Sequence, residues 1–148
     1  MDAQRSSKSP MREEIRLDDL CPPISHYTDA VRFGNILFIS GMAPLDQNQQ
    51  VLGGDDVVEQ ARHVFEALKK VLDKSGATFA DVLKVTVFLT DVDDRTKINP
   101  VRKEYFGSAL PASTLIGVKA LAIPGMKVEI EAVVGLPSQY ENNLEKSK

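Results

Sequence analysis

The chain has little of the equipment that announces a function. Among its 148 residues is one cysteine, Cys21, so no internal disulfide and no thiolate cluster for a metal can form. Its two histidines, His26 and His63, stand at no spacing that suits zinc, so no metal site is expected. No apolar run approaches the roughly 20 residues that span a bilayer. The opening MDAQRSSKSPMREE also lacks the apolar stretch of a secretion signal. A membrane partner is therefore not expected, and a cytoplasmic location is the default. Glycine-rich phosphate loops and the Gly-x-Ser-x-Gly elbow are missing too, which leaves nucleotide-binding and triad-hydrolase readings without support. Positive charge is scarce: 18 Lys and Arg against 21 Asp and Glu give a net charge of −3. That balance argues against a nucleic-acid partner held by phosphate neutralisation.

What is present is an ordinary globular composition, 43% hydrophobic and 26% charged. The length suits one domain that buries about two-thirds of its unfolded surface. Residues 1–10 read as a disordered polar start, 11–137 as the single domain and 138–148 as a polar tail. Residues 13–17 suit an edge strand with Ile15 and Leu17 on one face. The prolines of 21–27 exclude a helix and leave an extended loop. Residues 30–33 and 36–40 read as strands joined at Gly34-Asn35, the second apolar on both faces and so central in a sheet. After a polar loop at 46–54, Val57, Ala61, Val64, Leu68 and Leu72 recur at helical spacing, with Asp55 or Asp56 as cap and Ser75-Gly76 as the stop. Residues 78–82 suit a short helical turn, and 83–89 alternate as a strand. A second helix is expected from Pro100 to about Phe106, with Asn99 as its N-cap.

The stretch 110–135 is the most informative. Two extended segments, 113–118 and 127–134, flank Ile123-Pro124-Gly125, which punctuates strands. In the second segment Val128, Ile130, Ala132 and Val134 alternate with Glu129, Glu131 and Val133. Paired carboxylates on an apolar strand have two readings: a solvated strand face, or a carboxylate held over a pocket as a general base. The element order is β-β-β-α-β-α-β-β with antiparallel hairpins at each end, an α+β fold rather than a doubly wound sheet. A face carrying Phe88, Leu115 and Val133 beside two glutamates is too apolar for water, which predicts self-association.

Leu110-Pro111-Ala112, a strand, Pro-Gly and then Lys127-Val128-Glu129-Ile130-Glu131-Ala132 resemble the C-terminal signature of the Rid (YjgF-like) family of enamine/imine deaminases. Dispersed matches extend the resemblance from about residue 14 to 134: Ile24-Ser25-His26-Tyr27, Phe38-Ile39-Ser40-Gly41, Val85-Thr86-Val87-Phe88-Leu89, and Asn99 before Tyr105-Phe106. The resemblance implies a chorismate-mutase-like fold, a homotrimer with inter-subunit clefts, a small-molecule substrate and no cofactor. Residue by residue, it implies that Glu129 orients water, that Tyr27 and Asn99 line the pocket, and that Gly41 and Ala112 bring backbone to it.

One position departs from the pattern. The family arginine that grips the substrate carboxylate falls at Ser113, and a hydroxyl cannot replace a bidentate guanidinium. Three outcomes are open. Another cation, Arg32 or Lys119, reaches the site; or the substrate differs, as in relatives acting on 2-aminomuconate-type unsaturated amino acids; or the chain is a non-catalytic ligand-binding or regulatory homotrimer. His26, beside Tyr27, could supply a proton or a positive charge and is a secondary catalytic candidate, its alternative being a solvated loop histidine. Arg32 and Lys119, in the same way, are otherwise solvated charges. Glu131 has no implied pocket role.

Overall fold

The computed structural model describes residues 11–137, so the expectations for 1–10 and 138–148 lie outside the described residues. The strands are β1 (Arg12–Ile15), β2 (Ala30–Phe33), β3 (Ile36–Met42), β4 (Val82–Leu89), β5 (Ala112–Gly117) and β6 (Val128–Gly135). Helix α1 (Val57–Lys74) joins β3 to β4, and α2 (Arg95–Phe106) joins β4 to β5. The order is the one the residue patterns predict, α+β throughout.

Local chemistry explains most of these elements. Gly34, with φ 59°, takes the first central position of the β2–β3 hairpin, the place where a type II′ turn needs glycine. Asp56 caps α1, its carboxylate accepting from the backbone N–H of Val58 at 2.9 Å and of Glu59 at 3.4 Å. Val57, Ala61, Val64, Phe65, Leu68, Val71 and Leu72 form its buried stripe. Thr78 and Asp81 cap each other in a capping box around the short 3-10 turn Phe79–Asp81.

Helix α2 differs from the sequence expectation. It begins at Arg95, so Asn99 is not its N-cap and Pro100 lies inside the helix. A 3-10 turn, Val92–Asp94, capped by Asp91, leads straight into it and starts the helix early. Proline tolerates this position because it removes a single hydrogen bond near the helix start.

The six strands form one sheet in the order β1-β2-β3-β6-β4-β5. All pairs are antiparallel except β4 with β5, which are parallel. The expected C-terminal hairpin is therefore absent. β5 stands at the sheet edge, and 118–127 carries the chain back so that β6 enters between β3 and β4. Gln60, fully buried on α1, holds that crossover. Its Nε2 donates to the carbonyls of Gly54 at 2.7 Å and Gly125 at 2.9 Å, and its Oε1 accepts the Lys127 N–H at 2.7 Å.

Both helices pack on one face of the sheet, over Leu37, Ile39, Val85, Val87, Val128, Ile130 and Val134. The opposite face carries no helix. Phe33 and Phe38 are each 52% exposed there, so β3 is central in the sheet but covered on one side alone. Leu115 also departs from expectation. It pairs with Val87 and packs on the core, while Ile116, beside Phe88, takes the open face.

Candidate functional site

Glu129 and Glu131 project from β6 onto the open face, where their neighbours on β4 are Phe88 and Thr86. Glu131 is exposed, whereas Glu129 is partly buried. The cause lies on β3. The β3–β6 register shifts between Ile39 and Met42, a bulge that brings Gly41 under the Glu129 side chain. A Cβ at position 41 would lie 2.8 Å from Glu129 Cδ, so a larger residue there would push the carboxyl group out of this position. Burial raises the Glu129 pKa above the ordinary carboxylate value, and the charge of Glu131 adds to the shift.

The loop before β2 brings Tyr27 and His26 to the same end of β3. Ser40 fixes it there: its N–H donates to the Asp29 carbonyl at 2.9 Å, and its hydroxyl donates to the Thr28 carbonyl at 2.6 Å. Tyr27 is 47% exposed, and its Oη accepts the Ile24 N–H at 3.3 Å. His26 is exposed and lines a shallow depression with Tyr27, Arg12, Glu14 and Ser40. A cavity of about 290 Å³ lies on the other side of Tyr27 and Gly41, bounded by Cys21, Asp46, His63 and Lys70. Glu129 is not in its lining. Among the described residues, no cluster of His, Cys, Asp or Glu is placed to hold a metal ion, and no helix is long and apolar enough to cross a membrane.

A second group forms at the sheet edge. Ser113 pairs with Val85 and so sits on the helix side of β5. Its Oγ accepts a hydrogen bond from Arg102 Nη2 on α2 at 2.9 Å. Asn99 is exposed one helical turn before Arg102, on the same side of α2. Ala112 is exposed at the start of β5. Arg102 is partly buried, and burial pulls its guanidinium below the usual arginine value. No carboxylate among the described residues forms an ion pair with it.

The two cations expected near Ser113 are elsewhere in the chain. Arg32 lies on β2, four strands from β5 and so about 19 Å across the sheet, with its Nε donating to the Gly34 carbonyl at 2.9 Å. Lys119 is exposed beyond the far end of β5. Arg102, which the sequence reading passed over, is the cation at Ser113. Its one sequence signal was the i, i+3 spacing from Asn99.

Glu129, Gly41, Tyr27 and His26 thus form one group, and Ser113, Ala112, Asn99 and Arg102 another. Ser113 and Glu129 lie two strands apart, about 10 Å, and three residues apart along the strand direction, again about 10 Å, on opposite faces. One chain does not present both groups to one small molecule.

The family model described as Endoribonuclease L-PSP matches residues 19–135. The chain belongs to this family. The Rid resemblance read from its C-terminal strands holds as well. The Rid chain is 38% identical over 122 residues to a protein named 3-aminoacrylate deaminase RutC from Acinetobacter baylyi, covering 82% of this chain and 96% of that one. It is 35% identical over 112 residues to a protein named 2-iminobutanoate/2-iminopropanoate deaminase from Dermatophagoides farinae, covering 76% and 87% of the two chains. Its fold superposes on the crystal structure of RidA from the Antarctic bacterium Psychrobacter sp. PAMC 21119 with a TM-score of 0.78, at 32% identity and with 84% and 100% of the chains covered. The mixed α+β architecture is therefore shared with solved Rid structures.

Proposed function

We propose that this Rid protein hydrolyses enamine or imine intermediates, releasing ammonia, in clefts between the subunits of a homotrimer. The observation that carries the reading is the Glu129 carboxyl group, seated over Gly41 on an uncovered sheet face with its pKa raised by burial. Relatives named as deaminases support the reaction class. The separation of the two residue groups supports assembly, because a second copy can bring the Ser113 edge of one chain to the Glu129 face of another.

The chemistry needs only water. An enamine tautomerises to its imine, and water adds to the imine carbon while the C=N π bond moves onto nitrogen. Glu129 takes the proton that water loses and returns it to nitrogen, giving a carbinolamine. A second transfer, from the new hydroxyl to nitrogen, breaks the C–N bond, forms the carbonyl and frees ammonia. A base with a pKa above the ordinary carboxylate range is better matched to both transfers. Tyr27 and Asn99 line the cleft, and Gly41 and Ala112 let backbone approach the substrate. His26, which lines a depression with Tyr27, is the secondary proton-donor candidate.

Glu129→Gln keeps the shape but removes the basic oxygen, so kcat on an accepted enamine should fall about a hundredfold or more. Unchanged turnover in that variant would remove Glu129 from the mechanism and move attention to His26. No turnover by the wild type across a broad enamine panel would favour a ligand-binding trimer instead.

A further inference from the structure

Arg102 is a cation with unused capacity. A guanidinium has five N–H donors, and the one side-chain contact it makes among the described residues is the 2.9 Å bond to Ser113. Its neighbours on α2 and the adjoining helix leave it no counterion: Glu104 pairs with Arg62, and Glu66 accepts from Tyr105 at 2.6 Å. Asp94, at the start of α2, is paired with Lys97 at 3.2 Å. A partly desolvated guanidinium without a carboxylate is a costly arrangement for folding alone. The same arrangement favours an incoming anion, because little water must be stripped from the cation when the anion arrives. Ser113 holds the fork from one side, and Asn99 lies one turn away on the same side of the helix.

We infer that Arg102, positioned by the Ser113 hydroxyl, is the carboxylate receptor of this protein. The inference rests on the deaminase reading for its substrate, an imino or enamino acid with a free carboxylate, but not for its geometry. It selects the first of the outcomes open at Ser113, a cation from elsewhere, supplied by Arg102 instead of Arg32 or Lys119. The serine then supports an arginine that arrives from the helix instead of the strand. Simple 2-imino monocarboxylates are accepted on this arrangement. Ser113→Arg, which should restore binding if the charge were missing, instead sets two guanidinium groups against each other and should weaken it.

The test uses the full-length protein and two unreactive probes, pyruvate and its neutral amide, pyruvamide, measured by calorimetry. Wild type should bind pyruvate more tightly than pyruvamide. Arg102→Met, which keeps the apolar stem, should raise the pyruvate Kd about thirtyfold or more and leave pyruvamide nearly unchanged. Arg102→Lys should recover only part of the loss, because an ammonium cannot offer the fork. Ser113→Ala, a change in a positioning residue, should weaken pyruvate alone and, on an accepted substrate, raise KM more than it lowers kcat. Glu129→Gln should lose turnover yet keep the preference for pyruvate over pyruvamide, which separates this inference from the catalytic one. If turnover fails on every enamine but the Arg102 dependence of pyruvate binding stands, the receptor is upheld and the deaminase reading falls. Wild-type binding that does not distinguish the probes, equal loss of both probes in Arg102→Met, or tighter pyruvate binding by Ser113→Arg would each overturn the proposal.

Discussion

Glu129 carries its charge against two opposing influences, burial and the neighbouring Glu131. A carboxyl whose folded pKa exceeds its unfolded value binds protons more tightly in the folded state. Its cost to stability is fully present above the folded pKa and disappears below the unfolded one. Two outcomes follow for thermal melting across pH. Glu129→Gln should melt at or above the wild-type temperature at neutral pH, and the difference should close on acidification. In kinetics the active form is the carboxylate, so kcat/KM should fall as pH drops through the raised pKa. Its acid limb should therefore lie above the ordinary carboxylate range, and an acid limb in that ordinary range would show that Glu129 is not the titrating base. Gly41 gives an independent check. Gly41→Ala sets a methyl group against the carboxyl group and should reduce turnover at least tenfold while the fold persists, as circular dichroism would show. Glu129 stood out as a candidate in the sequence because a carboxylate interrupts an apolar alternation. Arg102 was not, because an arginine on a helix reads as a solvated charge until its contact with Ser113 is seen.

Elements were legible where their periodicity decided the partner. The α1 stripe permits one buried face, and the cap residues at Asp56 and Ser75 mark its ends. The relation of β5 to β6 was not legible. Pro124-Gly125 marks a turn, but nothing in a turn says whether its flanking strands pair with each other or with third strands. The deciding contact is Gln60, 65 residues from Gly125, and a lone glutamine on an apolar stripe carries no such address. Gln60→Leu would leave the Lys127 N–H and the Gly54 and Gly125 carbonyls without their partner. The expected cost is about 3 kcal/mol, and a fall in Tm of roughly 10 °C in scanning calorimetry would record it. An unchanged Tm would show that the crossover is held by other contacts. The start of α2 escaped the sequence reading for a related reason. Pro100 fits the first helical position so well by rule that its tolerance one turn later is invisible without the preceding 3-10 turn.

At the scale of the molecule the open sheet face dominates. With Phe33 and Phe38 half-exposed on the face that also carries Val133 and Ile116, self-association is expected, and a trimer is its proposed form. Phe38→Glu should shift light scattering toward the monomer mass, and a stable wild-type monomer at micromolar concentration would refute the assembly. A site divided between chains, as proposed, would have its own signature. When separately impaired Glu129→Gln and Arg102→Met chains are unfolded together and refolded as a mixture, about a quarter of the clefts should receive both intact groups. Activity regained by mixing would establish the shared cleft, and none regained would place the whole site on one chain.

The position of β6 reaches beyond the finished molecule to its synthesis. The last of the described strands lies between β3 and β4 and hydrogen-bonds to both, so the sheet has no continuous middle until it arrives. A ribosome that has exposed everything through β5 has released a β1–β3 meander and a β4–β5 pair with two bare edges facing each other. Those edges close only once residue 135 has left the exit tunnel. The nascent chain therefore stays vulnerable until β6 emerges and then completes its sheet in one late, long-range event.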